Sequence, residues 1–128
     1  MLTKESDYAI RMVEYLKRKK GNNGIAPVSE IAEATLVPYR FARKIARQLC
    51  TDGLLISTRG KTGGIRINPE MANANVYDVV SIVDPKGLIM NRCLIDPDCC
   101  QRSGYCTMHQ KFIVAQQKYE KLLKSVKI

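Results

Sequence analysis

Tryptophan is absent from the 128 residues, phenylalanine occurs twice, and aromatic side chains together make up 6% of the chain. A core must therefore be assembled mainly from Ile, Leu, Val, Ala and Met. Histidine occurs once. No nucleophile–base pair and no phosphate-binding loop accompany it, so the chain does not read as an enzyme. Long apolar runs are missing as well. The opening Met1-Leu2-Thr3-Lys4-Glu5-Ser6-Asp7 is too polar for a signal peptide, and no stretch is long enough to cross a bilayer. A cytoplasmic protein with no membrane partner is expected. Acidic residues are scarce: 12 Asp and Glu stand against 21 Lys and Arg, a formal net charge of +9.

What is present supports one compact domain with an appended helix. Hydrophobic residues make up 45%, which excludes global disorder. The basic excess favours an anionic partner, nucleic acid before a membrane surface. Its distribution is uneven. Between Val37 and Asn68 lie Arg40, Arg43, Lys44, Arg47, Arg59, Lys61 and Arg66, opposed only by Asp52.

Hydrophobic periodicity predicts a helix over residues 3–20, with Tyr8, Ala9, Met12, Val13 and Leu16 on one face and Thr3 or Ser6 as its cap. Gly21-Asn22-Asn23-Gly24 breaks it. Ser29 is expected to cap a second helix beginning near Val28. Pro38 fits the first turn of a third, running to about Cys50. That helix is expected to bury Phe41, Ala42, Ile45, Ala46 and Leu49 and to show Arg40, Arg43, Lys44 and Arg47 on the other side. Residues 54–58 and 65–68 read as strands joined by Arg59-Gly60-Lys61-Thr62-Gly63-Gly64. A short helix follows over 76–83. Residues 85–105 read as an irregular polar loop. From 107 to 126 a long helix carries Phe112, Ala115, Tyr119, Leu122 and Val126 at alternating gaps of three and four, the seam spacing of packed helix pairs. The expected fold class is mainly α with a small β-hairpin: a winged helix-turn-helix domain plus a long C-terminal dimerisation helix. Residues 1–84 form the DNA-binding domain, 85–106 a cysteine-bearing loop and 107–128 the dimerisation helix.

Helix, short turn, basic helix and hairpin follow the order of a winged helix-turn-helix. A recognition helix lies between core and major groove, so it must be apolar behind and polar in front. Arg43, Lys44 and Arg59 are the candidates for base edges. Tyr39, Arg40, Arg47 and Lys61 are the candidates for phosphates. The bland reading is a solvated basic helix beside an ordinary hairpin; order and charge together favour double-stranded DNA as partner.

Four of the five cysteines, Cys93, Cys99, Cys100 and Cys106, share one short window with the only histidine, His109. No close Cys-x-x-Cys pair of the zinc-knuckle kind occurs in it. Thiolates with these longer gaps suit an iron–sulfur cluster, and a histidine or carboxylate can complete the ligand set. Adjacent Cys99 and Cys100 would strain to bind one metal together, so one of them is a bystander. Cys106-Thr107-Met108-His109 near a helix start can aim two side chains at one site, although a lone surface histidine would read the same way. Cys50 reads as a small core residue.

These pieces together resemble the bacterial IscR/NsrR family of iron–sulfur transcription regulators over nearly the whole chain. The matching segments are Leu2-Thr3-Lys4-Glu5-Ser6-Asp7-Tyr8-Ala9-Ile10-Arg11, Phe41-Ala42-Arg43-Lys44-Ile45-Ala46-Arg47-Gln48-Leu49, the wing at 59–64 and the cysteine loop. The resemblance implies a homodimer on a near-palindromic operator. It also implies one 2Fe–2S or 4Fe–4S cluster per subunit, of which 2Fe–2S is the expected form. The family motif places five residues between its last two cysteines, which implies Cys93, Cys100 and Cys106 as ligands. Cys99 remains an alternative, since five residues also separate it from Cys93. The fourth ligand is implied to be either His109, as in IscR-like members, or Asp7 from the partner chain, as in NsrR-like members. The expected function is a cluster-controlled regulator, a repressor by family habit, that senses redox state, nitric oxide or cluster supply. A cluster-free regulator with a thiol redox switch is the alternative. A small electron carrier or zinc-stabilised module without a DNA role is a third.

Overall fold

Thr3 is extended (φ −88°, ψ 175°) and its hydroxyl accepts the Ser6 N–H at 3.3 Å, which starts α1 (Lys4–Arg18) in a computed structural model that describes residues 2–128. Of the two expected caps, Thr3 serves; Ser6 is buried inside the first turn. Ala9, Met12, Val13 and Leu16 form the buried face of α1, with acidic residues in its first turn and basic ones in its last, as the helix dipole favours.

α2 (Val28–Thr35) starts after Pro27, and Ser29 makes no cap bond. The reason is tertiary. Ala26 exchanges two backbone hydrogen bonds with Ile65, at 3.0 and 2.8 Å, which keeps the chain extended through Pro27 (ψ 152°). The helix begins where that pairing ends. α2 closes on Leu36, a left-handed residue (φ 57°, ψ 37°) whose side chain is 83% exposed. A bulky residue in this conformation costs roughly 1–2 kcal/mol. The bond from the Val37 N–H to the Ala32 carbonyl, 3.0 Å, holds the turn.

α3 (Tyr39–Thr51) follows directly. Pro38 stands just before its first residue rather than within its first turn, because its ψ of 134° is still extended. Ala42, Ile45, Ala46 and Leu49 are fully packed, whereas Phe41 is only half-buried. Phe41 lies at the rim, tilted against Tyr8 with ring centroids 5.9 Å apart. β1 (Leu55–Thr58) and β2 (Gly64–Ile67) pair antiparallel in the register Leu55–Ile67 to Thr58–Gly64. Leu54, expected in the first strand, instead precedes it in the core.

α4 (Val76–Val83) opens with a capping box: Asn75 accepts the Asp78 N–H at 2.9 Å, and Asp78 accepts the Asn75 N–H at 3.0 Å. Residues 85–105, expected to be irregular, contain three short 3-10 turns at Pro85–Leu88, Arg92–Leu94 and Pro97–Cys99. Two of them share one device. Asp84 and Asp96 each cap the turn with a side-chain oxygen, and the proline after each fixes the first φ.

α5 (Thr107–Ser125) turns back onto its own domain. Leu123 packs with Val76, Val80 and Leu88, and Tyr119 joins them. The chain end is tied down by the bond from the Val76 N–H to the Val126 carbonyl, 2.9 Å. The expected seam is thus divided. Tyr119 faces inward and Phe112 is half-buried, while Leu122 and Val126 are exposed. Periodicity finds apolar positions but not which neighbour they meet.

Candidate DNA-binding surface and metal centre

The core fixes one face of α3, which leaves Tyr39, Arg40, Arg43, Lys44 and Arg47 on the other. All five are exposed and line one shallow cleft. Among the described residues, none of the four cations there makes an ion pair, and α3 carries no acidic residue. The Arg40 guanidinium lies over the Phe41 ring at 5.3 Å, a cation–π contact. Unpaired cations at this spacing suit phosphate oxygens and guanine edges.

Arg59 and Lys61 sit exposed in the loop joining β1 and β2, which closes with a bond from the Gly63 N–H to the Gly60 carbonyl at 3.0 Å. Gly60 takes a positive φ of 111° there. A support for this wing escapes the sequence reading. The Asn22 amide donates to the Thr62 carbonyl at 3.0 Å. Asn22 and Asn23 are both left-handed (φ 53° and 55°), so the segment read as a simple helix break is shaped to hold the wing. The Asn-Asn-Gly run was the available signal, since these types tolerate that conformation best.

The cysteine loop and the start of α5 enclose a pocket of about 170 Å³. Cys93, Cys99, Cys100, Cys106 and His109 all line it, together with Asn91, Ser103, Met108 and Phe112. Cys93 and Cys106 are half-buried; Cys99 and Cys100 are exposed. The pocket brings the predicted residues together but does not divide Cys99 from Cys100. Among the described residues, no three His, Cys, Asp or Glu side chains converge tightly enough for a single metal ion. The donors instead surround a wider space. His109 Nδ1 is buried without a hydrogen-bond partner. Met108 and Phe112, absent from the sequence expectation, also line this site. Their one signal is that they flank His109 at helical spacing.

Asp7 lies elsewhere. Its carboxylate is bound by Arg11 at 2.6 Å on the exposed side of α1, and it does not line the pocket. Cys50 is half-buried at the end of α3, where burial pushes its thiol pKa up and favours the inert protonated form.

Helix-turn-helix, basic recognition face and tethered wing define a DNA-binding winged-helix regulator. The whole described chain matches the Rrf2 family, "Iron-dependent Transcriptional regulator", over residues 2–128, and the protein belongs to that family. Family members are transcriptional regulators, not enzymes. Among relatives, the chain is 27% identical over 105 residues to the HTH-type transcriptional regulator NsrR of Shouchella clausii (strain KSM-K16), covering 77% of this chain and 70% of that protein. The fold is similar to that of T. potens IscR, with a TM-score of 0.75 at 17% identity, over 99% of this chain and 82% of that one. It is also similar to CymR (YrzC), the global cysteine regulator of B. subtilis, with a TM-score of 0.73 at 17% identity, over 99% of this chain and 92% of that one. At these identities the structural likeness shows the fold alone. Among the described residues, no helix is long and apolar enough to cross a membrane.

Proposed function

We propose that the protein is a homodimeric, cytoplasmic transcriptional repressor whose affinity for a near-palindromic operator is set by a 2Fe–2S cluster. Cys93, Cys100, Cys106 and His109 would hold the cluster, which supplies a redox- and nitric-oxide-sensitive centre when bound. The observation that carries this reading is a pocket lined by four thiols and by His109, whose Nδ1 is buried without a hydrogen-bond partner. A buried nitrogen without a partner costs roughly 1–3 kcal/mol, and a metal bond removes that cost. The donor set fits: thiols and an imidazole with no carboxylate on the wall, the chemistry of iron–sulfur ligation rather than of hard cations. The same observation favours His109 over Asp7, whose carboxylate already has Arg11.

Arg43, Lys44 and Arg59 read bases, and Tyr39, Arg40, Arg47 and Lys61 hold phosphates. The cysteine loop lies between α4 and α5, so ordering it changes the geometry of the two recognition helices in a dimer. Two measurements test the proposal. Anaerobically reconstituted protein should be coloured and carry iron and sulfide; colourless, iron-free protein overturns the cluster. Arg43→Ala with Lys44→Ala should weaken operator binding by at least about 10-fold and flatten its salt dependence. Unchanged affinity overturns the DNA surface.

A second reading rests on the exposure of the adjacent Cys99 and Cys100. In it, thiol oxidation rather than a cluster controls DNA binding. Mass mapping of air-exposed protein should then find a disulfide at Cys99 or Cys100 in iron-free chains.

A further inference from the structure

Gln116 and Ser6 are the two buried polar side chains among the described residues. Gln116 makes three hydrogen bonds from the inner face of α5. Its Nε2 donates to the Leu88 carbonyl at 2.7 Å and to Glu120 Oε1 at 3.0 Å, and its Oε1 accepts the Met90 N–H at 2.9 Å. The Leu88 carbonyl and the Met90 N–H flank Ile89, whose backbone is extended (φ −97°, ψ 125°). The amide therefore docks on the chain as a neighbouring strand would.

The location gives this contact a role. Leu88 is anchored in the core with Val76, Val80 and Leu123. On the other side of Gly87, Asp84 accepts both the Thr3 hydroxyl at 2.9 Å and the Gly87 N–H at 3.2 Å. Three residues beyond Met90 stands Cys93. Seven residues before Gln116, on the same inner side of α5, stands His109. The pocket has two walls: the loop carrying Asn91 and Cys93, and the helix start carrying Cys106 and His109. Among the described residues, Gln116 bonds the backbone leading into one wall to the helix that carries the other.

We infer that Gln116 is a positioning residue for the sensing site, holding Cys93 at a fixed place relative to Cys106 and His109. It touches no ligand itself and acts through the Leu88–Met90 backbone. Losing its amide frees both bonds at once and lets the loop wall open without unfolding the core. The inference rests on the cluster reading only for its iron measurement. Its thiol measurement stands without metal.

The test compares two apolar replacements of similar volume, Gln116→Met and Gln116→Leu, each of which keeps neither bond. Glu120→Gln serves as the control that leaves both loop bonds in place. In reduced, metal-free full-length protein, the Cys93 alkylation rate relative to Cys106 should rise about 10-fold in both Gln116 variants and not at all in Glu120→Gln. In anaerobically reconstituted protein, iron loss to a chelator should accelerate in both Gln116 variants and not in Glu120→Gln. A folded Gln116→Met with the wild-type thiol ratio overturns the inference. Should Gln116→Met fail to fold, an unchanged ratio in Gln116→Leu does so instead. Wild-type protein that takes up no iron defeats the cluster reading alone, and the thiol ratio still decides this one.

Discussion

The surroundings of Glu30 favour its charged form. The Tyr15 hydroxyl donates to it at 2.5 Å and the Lys19 ammonium lies 3.1 Å away. The tyrosine bond, then the lysine, hold the carboxyl pKa below its ordinary value, and the same bond pushes Tyr15 above its own. The three residues tie α1 to α2 behind the recognition helix. A depressed carboxylate pKa contributes stability that is present above the unfolded pKa and is lost as pH falls through the folded one. Tyr15→Phe should therefore cost about 1 kcal/mol at neutral pH, less than a fully buried charged bond because Glu30 is 40% exposed. The deficit should shrink as Glu30 protonates in acid. Urea unfolding across pH checks it. A deficit that stays constant with pH would assign the loss to packing of the ring instead.

At the scale of elements, the wing depends on a glycine that no hairpin rule demands. Gly64 has a φ of 150°, and a Cβ there would lie 2.3 Å from the Ala26 carbonyl oxygen. That contact lies beside the Ala26–Ile65 bridge, which lays the chain at Ala26 along the two-stranded hairpin and delays the start of α2. Gly64→Ala should cost about 2–4 kcal/mol through clash and backbone strain and should loosen the wing's contribution to DNA binding. Gly21→Ala, where a Cβ meets nothing within 4 Å, is the matched control. Thermal melts and operator titrations read both effects, and equal melting of the two variants would refute the bridge's importance. The same bridge explains what was legible. α1, α3, α4 and the hairpin follow from periodicity and punctuation, because local residues determine them. The start of α2 does not, because a strand nearly forty residues later decides it. The exposed basic face of α3 was readable from charge and spacing, and the gathering of cysteines with His109 from clustering. Gln116 was not, since its partners are backbone groups that only the fold brings near.

At the scale of the molecule, α5 faces two ways. Its inner side holds Gln116, Tyr119 and Leu123, while Met108, Ala115 and Leu122 recur every seven residues along another side. Leu122 is 61% and Met108 46% exposed, so this domain does not satisfy the stripe. Lys111 and Lys118 run beside it with the same seven-residue spacing, and both are exposed. In the proposed homodimer, a twofold pairing through the stripe would set it against its own copy and bring these lysines toward those of the partner. Apolar contact then drives the association and like charge opposes it. Salt screens the repulsion and leaves the apolar contact, so the dimer should tighten several-fold between about 50 and 500 mM salt. DNA binding runs the other way, because each phosphate contact releases counterions that added salt restores. Leu122→Lys removes apolar surface and adds a like charge, and it should sediment near the 14.4 kDa chain mass rather than at twice that value. It should also bind a two-half-site operator more weakly, since the second wing is no longer tethered to the first. Sedimentation velocity across a salt series, paired with operator titrations, separates the two trends. A wild-type dimer that loosens as salt rises would place ion pairs rather than the Met108–Leu122 stripe at the interface.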